Sequence, residues 1–179
     1  MYLRVAPVMK RVYEQRGNRP IRNLGMDTAL QKAREFCAYQ ERSHAEVKDK
    51  LYGFGLQTEE VHELMAQLIS ENFLNEERYA IAFAGGKFRM KGWGKAKIKQ
   101  ALKQHSVSDY CIKLALSEIN ADDYWAKLQK IAESKWALLS KEKNAFVKQA
   151  KLKTFLMQKG YESSLVHEVV KLLQNEEKE

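Results

Sequence analysis

A three-fold internal repeat restricts what this chain can fold into more than any other feature of its sequence. With Leu51, Leu102 and Leu156 set in register, Ala45, Ala96 and Ala150 lie six residues earlier, and Val47, Ile98 and Leu152 four residues earlier. Downstream the register aligns Leu56, Val107 and Tyr161, then Val61, Ile112 and Val166, then Leu64, Ala115 and Val169. Met65, Leu116 and Val170 follow, and Leu68, Ile119 and Leu173 close the pattern. The offsets between copies are 51 and 54 residues. Spacings of three and four between the matched positions are those of buried helix faces.

Each copy reads as three short helices. In the first, Thr28 to Gln40 precedes Ser43-His44-Ala45-Glu46, whose serine and glutamate have the spacing of a capping box. That second helix ends near Gly53 to Gly55, and Gln57 or Thr58 caps a third running to about Glu71. In the second copy Asn75 starts a helix to about Met90, Gly92-Trp93-Gly94 breaks it, and Ser108 caps the last helix. In the third, Asp122 starts a helix with Trp125, Leu128, Ala132, Trp136 and Leu139 on one face, followed by helices near 145–158 and 164–174. The chain therefore divides into a basic N-terminal extension (1–26), of which residues 1–25 are expected to be dispensable for folding, and repeats over 27–74, 75–121 and 122–179. A unit of roughly 50 residues is near the lower limit for independent stability, so adjoining units are expected to pack together in an elongated, curved, all-α array.

Composition supports this reading: 45% apolar residues can build a core, while 9 Gly and 2 Pro are too few for a fold of many short strands. No apolar run approaches a membrane span and the start lacks a secretory signal, so a cytoplasmic protein without membrane contact is expected. Cys37 and Cys111 sit in apolar periodic segments without metal or redox spacing, which predicts reduced core thiols. Enzyme signatures are missing. Gly85-Gly86-Lys87 lacks the upstream glycine of a phosphate loop and reads as a close-packed helix segment. His44, His62, His105 and His167 form no metal spacing, and no Ser or Cys lies in a nucleophile elbow. A protein that is not an enzyme and needs no metal or cofactor is expected.

The net charge of +8 is unevenly placed. Residues 1–25 carry +5, residues 83–105 carry +7 with no acid, and the remainder carries −4. Steps of 100° per residue put Ile98, Ala101, Leu102 and His105 on one stripe of a 95–104 helix, with Lys95, Lys99 and Lys103 on the adjoining face. No acid at those positions relieves their mutual repulsion. Lys87, Arg89 and Lys91 extend the field upstream, and Lys97 lies within it. Lys99 matches Lys48 and Lys153 in the other copies, whereas Lys95 and Lys103 match His44 and Tyr52, then Gln149 and Met157. The middle unit is thus specialised. Its eight candidate contacts are Lys87, Arg89, Lys91, Trp93, Lys95, Lys97, Lys99 and Lys103, a footprint for phosphates or an acidic protein groove. Trp93 is either a stacking or anchoring group or a wedge between units.

Three segments resemble the RecX family of RecA regulators: Glu41-Arg42-Ser43-His44-Ala45-Glu46 with Leu51; Asn72-Phe73-Leu74-Asn75-Glu76-Glu77-Arg78-Tyr79-Ala80 with Phe83; and Arg89-Met90-Lys91-Gly92-Trp93-Gly94 with Ile98 and Leu102. Lys159-Gly160-Tyr161 with Val166 fits as well, so the likeness covers about residues 28–174. The family's turn position, often Tyr, holds Trp93 here. The resemblance implies a non-enzymatic cytosolic protein of three tandem three-helix repeats that binds the RecA recombinase, its nucleoprotein filament, and single- and double-stranded DNA; a monomer is expected. It implies restraint of ATP hydrolysis, strand exchange and coprotease activity in DNA repair, recombination and the SOS response. Three-helix units also resemble helix-turn-helix modules, so a free-standing DNA-binding protein and a plain helical scaffold remain alternatives.

Overall fold

The computed structural model describes residues 23–176. These form nine helices and no strand: α1 (Met26–Tyr39), α2 (His44–Gly53), α3 (Thr58–Ser70), α4 (Glu76–Lys91), α5 (Lys95–Gln104), α6 (Asp109–Ser117), α7 (Ala121–Leu138), α8 (Ala145–Lys159) and α9 (Ser163–Glu176). None of them is long and apolar enough to cross a membrane. Most of the expected extension over 1–26 lies outside the described residues. Met26 itself already belongs to α1, and the Leu24 amide donates to the Phe54 carbonyl at 3.1 Å.

Short polar side chains start the helices, because the first N–H groups of a helix have no partner within it. Ser43 Oγ accepts from the Glu46 amide at 3.1 Å, and Glu46 accepts from the Ser43 amide at 2.9 Å, completing the expected capping box. Asn75, Ser108 and Asn144 cap α4, α6 and α8 in the same way. In α7 the cap is Asn120, whose Oδ1 accepts from the Asp122 and Asp123 amides, so this helix starts ahead of Asp122.

The repeat register is mostly a burial register. Val47, Ile98 and Leu152 are all 0% exposed, as are Leu51, Leu102 and Leu156. The alanine position departs from it: Ala45 is half-buried, while Ala96, at the start of α5, and Ala150, in the second turn of α8, are exposed. The buried face of α7 also differs from the expected one by a residue, with Tyr124, Leu128, Ala132 and Trp136 in the core and Trp125 only half-buried. Cys37 and Cys111 are free buried thiols. Gly85 and Gly86 do lie in a helix, but not a close-packed one: a Cβ at Gly86 would meet nothing within 4 Å, and one at Gly85 would meet only the flexible Arg89 side chain.

Two apolar cores result, not three. One runs from Ala29 to Leu74; the other joins Tyr79 to Leu173 across the second and third units. The first unit meets the second through polar groups centred on Arg78, whose Nε donates to Glu41 at 2.7 Å and whose other nitrogens reach Asn72 Oδ1 and the Asn72 carbonyl.

The second and third units are locked backbone to backbone. α5 has no side-chain cap. Instead the Gly94 amide donates to the Lys159 carbonyl at 2.8 Å, and the Ala96 amide to the Gly160 carbonyl at 3.1 Å. The spare donors at the start of α5 are thus met by spare acceptors at the end of α8. A Cβ at Gly94 would lie 2.2 Å from the Gly160 carbonyl oxygen, and one at Gly160, where φ is 90°, would lie 2.5 Å from the Lys97 amide nitrogen. Only glycine fits at either place.

Gly94→Ala is therefore expected to cost roughly 1–3 kcal/mol of stability in urea unfolding, with faster amide exchange at Ala96. Gly86→Ala should instead stabilise the protein by about 0.5–1 kcal/mol, the ordinary gain for alanine over glycine inside a helix. Glu76 supplies a pH-dependent element. Burial pushes its carboxyl up, but hydrogen bonds from Ser108 Oγ (2.7 Å) and the Ser108 amide (3.2 Å) outweigh this and hold it below its ordinary value. Its contribution is present above the ordinary carboxylate range and is lost as pH falls through the lowered folded value. Glu76→Gln should lower stability by roughly 1 kcal/mol at neutral pH and flatten part of the acid-side decline, as read by thermal melts across pH.

Candidate functional site

The eight candidate residues occupy the end of α4, the Gly92-Trp93-Gly94 turn and α5. The turn is set by Gly92, which ends α4 in the left-handed conformation at φ 60°. Arg89, Lys91, Lys99 and Lys103 are exposed, and Lys87, Trp93, Lys95 and Lys97 are half-buried. Seven of them fall into three groups, and the eighth, Lys91, uses its carbonyl to accept from Lys159 Nζ at 3.1 Å.

The first group is built around Trp93. Its ring packs against the shared core on one side. Lys87 Nζ lies 5.3 Å and Lys97 Nζ 5.0 Å from its centroid, so two ammonium groups bracket the indole. Lys87 also lies 5.0 Å from the Phe83 ring, and Phe83 meets His105 edge-on at 5.4 Å. Lys97 is further held by donating to the Gln158 carbonyl at 3.2 Å. Trp93 is thus wedged against the shared core, and its half-buried ring is flanked by two cations. Contacts of this kind are worth about 0.5–1 kcal/mol each when exposed, enough to orient a side chain without neutralising it.

The second group is the Lys95, Lys99 and Lys103 row. Lys99 and Lys103 line a shallow groove with Ala96, Gln100 and Gln104. Lys103 is paired, its Nζ 3.2 Å from Asp109 of α6, so part of the expected repulsion is relieved from the next helix. Lys95 sits with Nζ 5.1 Å above the Tyr124 ring. Among the described residues no carboxylate forms an ion pair with Lys87, Arg89, Lys91, Lys95, Lys97 or Lys99.

Arg89 forms the third group, apart from the others. It lines a cleft of about 570 Å³ between α4 and α7 that also holds Glu118, Asp123, Lys127 and Lys130. Charges of both signs there make it no extension of the basic field.

Sequence reasoning missed Tyr124, which organises the row from beneath. Its hydroxyl accepts from the Lys95 amide at 2.9 Å and donates to Glu162 at 2.7 Å. Burial raises this hydroxyl above its ordinary value, so it remains a donor. The signal was present as four-residue spacing to Leu128, Ala132 and Trp136, masked by the adjacent Trp125. The site as a whole offers fixed cations, an aromatic edge and no nucleophile or acid–base pair. It is suited to holding a polyanion.

Comparison with known proteins bears on both fold and site. Residues 75–116 match the second three-helix domain of RecX, and residues 122–170 the third. The regulatory protein RecX of Clostridium perfringens is 32% identical over 137 residues, 76% of this chain and 64% of that protein. The RecX of Oceanobacillus iheyensis is 27% identical over 143 residues, of which this chain spans 52% of the length, and that of Chlorobaculum tepidum is 29% identical over 150 residues, 91% of its length. The crystal structure of RecX from Lactobacillus salivarius superposes with a TM-score of 0.75, covering 83% of this chain and 96% of that one at 23% identity, which shows a common fold. With both three-helix domains matched and the specific Lys91-Gly92-Trp93-Gly94 turn inside the first of them, the chain belongs to the RecX family of regulatory proteins.

Proposed function

We propose that this protein binds the RecA recombinase and its DNA filament through the basic face of its second unit. In this reading it restrains ATP hydrolysis, strand exchange and coprotease activity without catalysing a reaction of its own. It would act in the cytoplasm, in DNA repair, recombination and the SOS response. The observation that carries the reading is the pairing of Trp93, bracketed by Lys87 and Lys97, with the adjoining Lys95, Lys99 and Lys103 row. Lysines held over aromatic rings keep their charge available to phosphates or carboxylates. A glutamate neighbour would have cancelled it. Family membership supports the choice of RecA as partner. The division into an extension and repeats at 27–74, 75–121 and 122–179 belongs to the same proposal and puts the recognition surface in the middle repeat.

The direct test is single-strand-dependent ATP hydrolysis by the cognate RecA with substoichiometric amounts of this protein. Changing Lys95, Lys99 and Lys103 together to Glu should weaken filament binding by orders of magnitude at moderate salt. These lysines project from one helix face, so stability should change by about 0.5 kcal/mol or less per site. Leu102→Ala, at a fully buried position, should cost roughly 2–5 kcal/mol and mark what a purely structural defect does to the same assay. A triple-Glu protein that melts normally and inhibits at wild-type concentrations would remove this face from the mechanism. Binding to bare DNA that RecA leaves unchanged would favour a free-standing DNA-binding protein.

A further inference from the structure

A second surface, lined by none of Lys95, Lys99 and Lys103, lies between α7 and α8. Ile131 and Leu138 of α7 and Phe155 of α8 form an apolar floor, and Lys127, Lys130 and Lys135 stand along it. The groove encloses about 370 Å³, and no acidic residue lines it. Lys135 Nζ and Lys159 Nζ lie 5.1 and 5.6 Å from the Phe155 ring centroid, which brings cations over the floor from both helices. Lys127 and Lys159 are fixed by donating to the Arg89 and Lys91 carbonyls at 2.9 and 3.1 Å. Lys130 is exposed. At the far end Leu138 is 77% exposed, an unusual state for a large aliphatic side chain beside an open groove. α9 packs on both α7 and α8, yet contributes nothing to this lining, so the α7–α8 pair keeps one groove open.

We propose that this groove is the docking site for an acidic amphipathic helix of a protein partner. Charge complementarity selects an acidic occupant, because four lysines surround an acid-free floor. The floor favours a protein segment over nucleic acid: Ile131 and the exposed Leu138 are aliphatic and are buried favourably by leucine-like side chains, and the Phe155 ring on which a base could stack is already faced by Lys135 and Lys159. Geometry selects a helix. Ile131, Lys135 and Leu138 stand at i, i+4 and i+7 on α7, a ridge two turns long whose flanking groove accepts side chains of the same period. The proposal does not depend on the function assigned to the basic face of the second unit, which it leaves untouched.

The test uses the full chain and a synthetic fluorescein-labelled peptide with leucine at i, i+3, i+4 and i+7 and glutamate elsewhere, read by fluorescence anisotropy. A scrambled peptide of equal composition and a single-stranded oligonucleotide serve as competitors. Lys130→Glu with Lys135→Glu should weaken peptide binding at least about ten-fold, and Leu138→Ser about three-fold or more, both with unchanged thermal melts. The Lys95, Lys99 and Lys103 triple-Glu variant should retain peptide affinity within about two-fold, which separates this groove from the polyanion face. Equal affinity for the scrambled peptide, or indifference to Leu138→Ser, would leave only non-specific charge attraction and overturn the proposal. Displacement of the peptide by the oligonucleotide from the triple-Glu variant would make the groove a nucleic-acid surface and overturn it equally.

Discussion

Two helix ends facing each other hold the second and third units of this molecule together. Every α-helix leaves donors unpaired at its start and acceptors unpaired at its end, and most proteins hand these groups to side chains or water. Here the start of α5 and the end of α8 satisfy one another through Gly94, Ala96, Lys159 and Gly160. The contact requires two backbones at a separation that excludes any Cβ, so Gly94 and Gly160 are as much a part of it as the hydrogen bonds. The partial positive charge at the start of α5 also faces the partial negative charge at the end of α8. Trp93, Lys95 and Lys97 flank this contact, and their positions follow from it.

The same contact accounts for how a crowded set of lysines is tolerated. Lys95 is anchored by its amide on Tyr124, while its ammonium rests above that residue's ring. Lys97 and Lys87 use Trp93, and Lys103 reaches Asp109. The charge is therefore positioned by aromatic faces and backbone carbonyls more than by ion pairs. Exposed ion pairs are worth little in any case, about 0–1 kcal/mol, and would have reduced the field available to a polyanion.

The helices and the core were readable because burial repeats with the helical period: Val47, Ile98 and Leu152 needed no more than register to be assigned. Seven of the eight candidate residues were readable as charge, but their grouping was not, since it depends on α7 and α8, far away in sequence. Tyr124 was hidden by Trp125, a larger and more hydrophobic neighbour. The turn before the third helix of each unit shows another limit. Gly55, Ser106 and Gly160 occupy equivalent places with φ of 81°, 59° and 90°, so the conformation repeats although glycine does not. The fusion of the second and third cores was likewise invisible, because it arises from Gly94 and Gly160 meeting across 66 positions of chain, a separation that local patterns do not record.

The separate core of the first unit gives the chain a seam. Across it lie Arg78 and its polar partners, whereas α4 to α9 share one continuous apolar interior. Cooperativity in a folded chain follows shared apolar contact, so α1–α3 and α4–α9 are expected to unfold as two blocks where the repeat count alone would suggest three.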